Sequence, residues 1–116
     1  MKFSLQRQSF PVELEGPNGQ TLKLEMREMT AAQRDKYLDG LGERLRFDAN
    51  GMPVGMKKFT GMQASLLSLC LYNGEALVKA EEIQGWPAGV ATQLFEEAQR
   101  LNHLEKETTA DEPKND

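Results

Sequence analysis

Apolar and polar residues alternate along residues 10–26, in two runs separated by the turn sequence GPNG. Successive side chains of an extended strand point to opposite faces, so alternation with period two indicates strands that have one apolar face. The two runs therefore predict a β-hairpin. Its apolar face would carry Phe10, Val12 and Leu14 from the first strand, and Leu22, Leu24 and Met26 from the second. A shorter alternation at Phe3 and Leu5 is compatible with a third strand before the hairpin.

The pattern changes to helical spacing after the hairpin. It predicts three helices, over about residues 31–46, 60–73 and 87–104. The first two begin with a T-x-x-Q sequence, at Thr30 and Thr60, which is the form of a capping box. The second is apolar nearly all round, as is typical of a central helix, and Asn73-Gly74 is expected to end it. The third is amphipathic, and Pro87 suits its first position.

The remaining segments complete a prediction for the whole chain of 116 residues. Residues 47–57 are rich in turn formers and predict a surface loop or loose hairpin, whereas residues 75–85 fit either one helical turn or a short extended piece. Residues 106–116 contain no large apolar side chain, so a disordered acidic tail is expected. We predict a single mostly helical α+β domain over residues 1–105, with an N-terminal β-hairpin or small antiparallel sheet followed by three to four helices.

Charge and hydropathy narrow the classes of partner. The formal net charge is −4, so the broad positive field that favours nucleic acid is missing, and nucleic acid is not an expected partner. The longest apolar run is only a few residues, which predicts no membrane span. The first ten residues, MKFSLQRQSF, lack the apolar segment of a secretory signal, so a cytoplasmic protein is expected.

The sequence offers little for catalysis or metal binding. It has one Cys and one His, whereas a thiolate or imidazole metal site usually takes three or four ligands. Cys70 falls on an apolar helix face, where Cys is most often a small hydrophobe. His103 falls near a helix C-terminus, where a cation interacts favourably with the helix dipole. We therefore predict a binding or assembly protein that is not an enzyme, with no catalytic residue, cofactor or metal.

The C-terminal half carries a recognisable order of features over roughly residues 66–104. A helix leads to the turn LYNG at residues 71–74, then to an acidic segment with an apolar anchor, EEI at 81–83, and then to a helix that closes with FEEAQRLNHL at 95–104. In this order the chain resembles the tail assembly chaperones of long-tailed bacteriophages and prophages. The N-terminal half, a short β segment followed by a capped helix, resembles the same family more loosely.

This resemblance implies a role in phage tail assembly. Such a chaperone binds the long helical tape-measure protein, with the tail tube protein as a further candidate partner, in the host bacterial cytoplasm, and is absent from the mature virion. The family implies no catalytic or cofactor residue. We expect partner contacts at Trp86 and on the side of the last helix that carries Leu94, Phe95 and Leu101, beside a groove between the central and last helices.

Two other functions fit the same residues. One is a structural tail component, such as a tube or terminator subunit, which would stay in the particle. The other is a small helical regulatory protein, although the chain lacks a basic recognition helix. A central helix that is apolar nearly all round fits either an enclosed position in the core or an interface between two copies of the chain. A homo-oligomer is therefore one of the two alternatives.

Overall fold

A computed structural model describes residues 1–56 and 60–104 of the chain. These residues form antiparallel strands and four helices, so the predicted α+β class is confirmed. The strands are β1 (Ser9–Glu15), β2 (Thr21–Arg27), β3 (Leu45–Phe47), β4 (Pro53–Met56), β5 (Leu71–Asn73) and β6 (Ala76–Leu77), and the helices are α1 (Ala31–Glu43), α2 (Met62–Leu67), α3 (Ala80–Gln84) and α4 (Ala88–Leu101). The tail predicted over 106–116 lies outside the described residues.

The N-terminal hairpin forms as its alternation predicts. β1 and β2 pair antiparallel, and the register sets Phe10 opposite Met26, Val12 opposite Leu24, and Leu14 opposite Leu22. All six apolar residues therefore share one face, which packs against the core. The sheet continues from β2 to β5 and β6, in the order β1-β2-β5-β6, so β1 is an edge strand of the described sheet.

The segment before β1 does not form the third strand that its alternation left open. Residues 1–8 carry no strand in the structure, and the side chains of Phe3 and Leu5 are 82% and 101% exposed. A strand needs a neighbouring strand that bonds its backbone groups. Within the described part of the chain, Gln8 is the one residue of this segment that makes such a bond, in which its carbonyl accepts from the Glu28 amide.

Helix α1 begins with the predicted capping box. The Gln33 amide donates to Thr30 Oγ1 at 3.2 Å, and the Thr30 amide donates to Gln33 Oε1 at 3.0 Å. The helix ends at Glu43 rather than at residue 46, because the chain turns there into β3, which pairs with β4. Of the two alternatives for residues 47–57, the hairpin is the one that forms, up to the last described residue, Met56.

The predicted central helix over 60–73 is wrong in its extent. Helix α2 covers only Met62–Leu67, and no side chain caps it. The residue before the helix is Gly61, whose φ of 73° lies in the left-handed region, so the second T-x-x-Q sequence does not adopt capping-box geometry.

Pairing with the hairpin ends this helix early. Leu71 lies opposite Met26 in the sheet, and the Arg27 amide donates to the Cys70 carbonyl at 2.8 Å. The backbone groups of this segment are thus satisfied by strand partners rather than by a further helical turn. Gly74 is left-handed, as predicted, with φ 67°, but it lies in the two-residue turn between β5 and β6.

The connector between β5 and α4 contains both alternatives left open for residues 75–85. Its first part pairs as β6, and its second part forms the five-residue helix α3, whose Ile83 is 1% exposed. Helix α4 then begins after Pro87, which is its N-cap rather than its first residue, and ends at Leu101 instead of 104. His103, just beyond the helix, has a left-handed φ of 60°.

The core lies where the hairpin face meets the helices. Its largest fully buried side chains are Met26, Leu66, Leu67, Cys70, Leu71 and Ile83. They come from the hairpin, from α2 with its following strand, and from α3, so one core joins both halves of the chain. Among the described helices, none is both long and apolar enough to cross a bilayer.

The two T-x-x-Q sequences provide a matched test of this fold. Thr30→Ala removes a side chain that caps α1, and we expect it to lower the free energy of unfolding by about 1 kcal/mol. Thr60→Ala should change it by much less, because the Thr60 side chain does not cap α2. Urea denaturation of both variants measures the difference, and equal losses would contradict the capping assignment.

Candidate binding groove

An open groove separates the hairpin from the first half of α4. Its volume is about 1150 Å³, somewhat above the range of about 300–1,000 Å³ usual for small-molecule sites. Its apolar lining comes from both sides and consists of Phe10, Val12, Leu14 and Leu22 from the hairpin, and Trp86, Val90 and Leu94 from the last helix and the loop before it. Most of these side chains are half-buried, so they support the fold and still present apolar surface to the groove.

Local sequence explains why α4 presents this face. Val90, Leu94 and Glu97 are spaced at i, i+4 and i+7, which places them in one row along a helix. The row begins beside Trp86 and Pro87, where the chain enters the helix. The amphipathic pattern that predicts α4 therefore serves two purposes: Leu94 and Ala98 are buried in the core, while the edge of the same apolar stripe lines the groove.

The rim of the groove is acidic. Glu96 and Glu97 line it from α4, and Glu13 and Glu15 line it from β1, where strand alternation turns their side chains to the opposite face of the sheet from Val12 and Leu14. All four side chains are exposed. None of the described residues that line the groove is Lys or Arg, although Glu97 pairs with Arg100 further along α4, with Arg100 Nη1 at 2.7 Å from Glu97 Oε2. The groove thus joins an apolar floor to a negative rim, which favours an apolar segment that carries basic residues.

Trp86 stands between this groove and a smaller cavity. The smaller cavity, of about 430 Å³, lies between α2 and the α3–α4 connection and is lined by Ala64, Ile83, Trp86 and Ala91 among others. The Trp86 side chain is half-buried and packs against the core, as expected for a residue at the start of the last helix. Because it is the only Trp, its fluorescence reports directly on both cavities.

The four predicted partner-binding residues divide into two pairs. Trp86 and Leu94 line the large groove. Phe95 and Leu101 do not line it; both are half-buried and pack on the core. The predicted groove between the central and last helices corresponds to the smaller cavity, whereas the larger groove lies against the hairpin.

Sequence reasoning missed the hairpin side of the large groove. Phe10, Val12 and Leu14 were identifiable as one apolar face, but an alternating pattern does not show which part of that face another element covers. The first half of α4 leaves part of it open. The glutamates at 13, 15, 96 and 97 were the feature of the sequence that could have indicated the groove. They line the same groove only because of the tertiary arrangement, which the sequence pattern does not show.

One buried polar side chain fixes the far end of α4. Asn102 is 7% exposed, and its Oδ1 accepts a hydrogen bond from the Met29 amide at 2.8 Å. Its Nδ2 donates to the Ala98 carbonyl at 2.8 Å and approaches Cys70 Sγ at 3.5 Å. The end of the last helix is thereby held to the segment after β2 and to the residue before β5.

Neither Cys70 nor His103 belongs to the groove. The Cys70 side chain is fully buried, and burial raises the pKa of its thiol from 9.0 to about 11. His103 is exposed just beyond α4. Over residues 1–56 and 60–104, no three or more His, Cys, Asp or Glu side chains come together in a group that could hold a metal ion.

Comparisons with known proteins identify no relative: no family model, no curated protein and no solved structure matches this chain.

The buried thiol predicts a pH dependence of stability. Below pH 9 the thiol is neutral in both states; between pH 9 and 11 it ionises in the unfolded chain but not in the folded one, which favours unfolding. Two pKa units correspond to about 2–3 kcal/mol. Urea denaturation at pH 8 and pH 11 should show a larger loss for the natural chain than for Cys70→Ala, which has no thiol to ionise. Equal losses in the two chains would contradict the burial of this thiol.

Proposed function

We propose that the protein is a phage tail assembly chaperone that holds helical segments of the tape-measure protein in the groove between the hairpin and α4. It would act in the host bacterial cytoplasm and leave before the virion is complete. The observation that carries the proposal is the groove itself, an open apolar surface with an acidic rim. The resemblance of residues 66–104 to this family supplies the partner.

The shape of the groove suits a helix. An amphipathic helix is about 10 Å across and buries one apolar stripe while its other face stays in water. Such a stripe can lie on the row formed by Val90 and Leu94 and on the facing hairpin residues, as in other helix-in-groove complexes. Contiguous apolar surface of this kind on a small protein commonly marks a site of interaction.

The acidic rim favours selectivity and solubility. The glutamates of the rim, of which Glu97 also pairs with Arg100, would attract Lys and Arg that flank an apolar stripe on the partner, and would repel acidic helices. The same charges add to the net charge of −4, which helps keep a protein with an open apolar surface in solution.

Trp86 is the best candidate for the central contact. A half-buried Trp beside a groove offers a large apolar surface whose position is already fixed by the core, and Trp is enriched among residues that dominate binding energy. Leu94 would contribute to the groove wall. Phe95 and Leu101 would contribute indirectly, because they pack α4 against the core beneath its binding face.

A charge on the groove wall should weaken partner binding. Val90→Glu places a carboxylate where the apolar stripe would lie, whereas Thr92→Glu places the same carboxylate on an exposed position of α4 outside the groove. With the tape-measure protein co-expressed from the same phage or prophage, we expect at least about tenfold weaker binding for Val90→Glu, or about 1.4 kcal/mol, and little change for Thr92→Glu.

A folding control, a second groove variant and an analysis of virions accompany this test. Thermal unfolding checks that Val90→Glu is folded, and Gln93→Lys, at an exposed groove position, provides a second variant that leaves the core intact. Unchanged binding of the tape-measure protein by both groove variants would reject the groove as its site. Detection of the chain in purified virions by mass spectrometry would instead favour a structural tail component.

A further inference from the structure

The segment before β1 is an arm without regular secondary structure that presents unburied apolar side chains. We define it as residues 1–6; Met1, Phe3 and Leu5 in it are 82% or more exposed. In an extended chain these three residues share one side, and Lys2, Ser4 and Gln6 share the other. The arm therefore has the pattern of a segment with one buried face, but in this chain that face is uncovered.

The base of the arm is held firmly. Gln8 pairs with Glu28 through both backbone groups: its amide donates to Glu28 Oε1 at 3.1 Å, and its carbonyl accepts from the Glu28 amide at 2.8 Å. Arg7 Nε donates to the Glu28 carbonyl at 2.7 Å, and Arg7 Nη2 donates to Tyr72 Oη at 3.3 Å. The Arg7 guanidinium also lies 5.7 Å from the centre of the Tyr72 ring.

This anchoring directs the arm away from its own groove. The contacts of Gln8 continue the line of β1 beyond the open end of the hairpin, while the groove begins at Phe10 and extends in the opposite direction, toward the turn at residues 16–20. To enter the groove of its own chain, the arm would have to reverse direction at the residues that are held.

We propose that the arm of one copy occupies the groove of a second copy of this chain. Charge complementarity supports this occupant, because Lys2 is the one charged residue of the arm, whereas the groove is lined by four glutamates, of which Glu97 also pairs with Arg100. Size agrees as well: five extended residues span roughly 15 Å, and the groove follows most of the seven-residue strand β1.

Side chains rather than strand pairing make this contact. The free edge of β1 contains Pro11, which has no backbone amide to donate, and the exposed charges of Glu13 and Glu15, and these are features that discourage strand addition. Phe3 and Leu5 of the arm meet the apolar floor of the groove, and Lys2 meets its acidic rim. The contact covers the groove until a helical partner displaces the arm.

The average mass of the chain in solution tests this association without any partner protein. The association proposal can therefore fail while the chaperone proposal stands. By sedimentation equilibrium, the natural chain should rise with concentration from 13.0 kDa to at least twice that mass. Phe3→Asn with Leu5→Asn should stay near 13.0 kDa. The matched control, Ser4→Asn with Gln6→Asn, changes the other side of the arm and should associate like the natural chain.

A second pair of variants tests the rim. Glu96→Lys reverses one charge of the groove and should weaken association, whereas Glu81→Lys makes the same change in net charge on an exposed position of α3 outside the groove and should not. A natural chain that stays monomeric, or association that survives Phe3→Asn with Leu5→Asn, would overturn the proposal.

Trp86 fluorescence locates the arm. A synthetic peptide of residues 1–8 added to the Phe3→Asn, Leu5→Asn chain should shift the Trp86 emission, and the same peptide with both Asn substitutions should not. No shift with the natural peptide would show that the arm binds elsewhere and would overturn the assignment to the groove.

Discussion

The arrangement of the molecule depends on the side chain of Asn102. A buried amide must have its donors and its acceptor satisfied, because an unpaired polar group away from water costs about 1–3 kcal/mol. Asn102 meets this requirement only where the end of α4, the Met29 amide and Cys70 come together. The last helix is thereby fixed at its end, against residues that are far from it in sequence.

The start of α4 is fixed by a different means. The connector between β5 and α4 contains β6 and α3, and these two elements limit its freedom to change direction. Ile83 anchors it in the core, and the Trp86 amide donates to the Ile83 carbonyl at 3.0 Å. With both ends fixed, the first half of α4 stands beside the hairpin without covering the whole of its apolar face, and the groove is the space that results.

The hydrogen bonds of Asn102 also give a structural role to the sequence FEEAQRLNHL at residues 95–104. In FEEAQRLNHL, Ala98 allows close packing at 0% exposure, Leu104 is buried, and Asn102 makes the buried hydrogen bonds. These residues determine where the helix lies. Partner recognition would fall to other positions, earlier in the helix and on the hairpin.

Local interactions account for what could be predicted from sequence. Alternation along residues 10–26 determined the hairpin and its register, and the capping box at Thr30 determined the start of α1, because both depend on residues close in the chain. The extent of α2 could not be predicted in this way. Leu69, Cys70 and Leu71 fit an apolar helix as well as a buried strand, and pairing with β2, more than 40 residues earlier, decides between them.

The groove could be predicted only in part, for the same reason. Trp86 and Leu94 were recognisable because a Trp at a helix start and an amphipathic stripe are local features. The hairpin wall and the acidic rim depend on the angle between α4 and the sheet, which is fixed by Asn102 and by the packing of α3. No pattern among neighbouring residues predicts the angle between α4 and the sheet.

The proposed binding surface of this protein is the groove between the hairpin and α4. Amide chemical shifts of the isotope-labelled chain, followed by nuclear magnetic resonance while a helical fragment of the tape-measure protein is added, test it most directly. If the groove binds the fragment, the largest changes will fall in residues 10–22 and 85–97. Changes concentrated instead on the β3–β4 hairpin, or no changes at all, would contradict it.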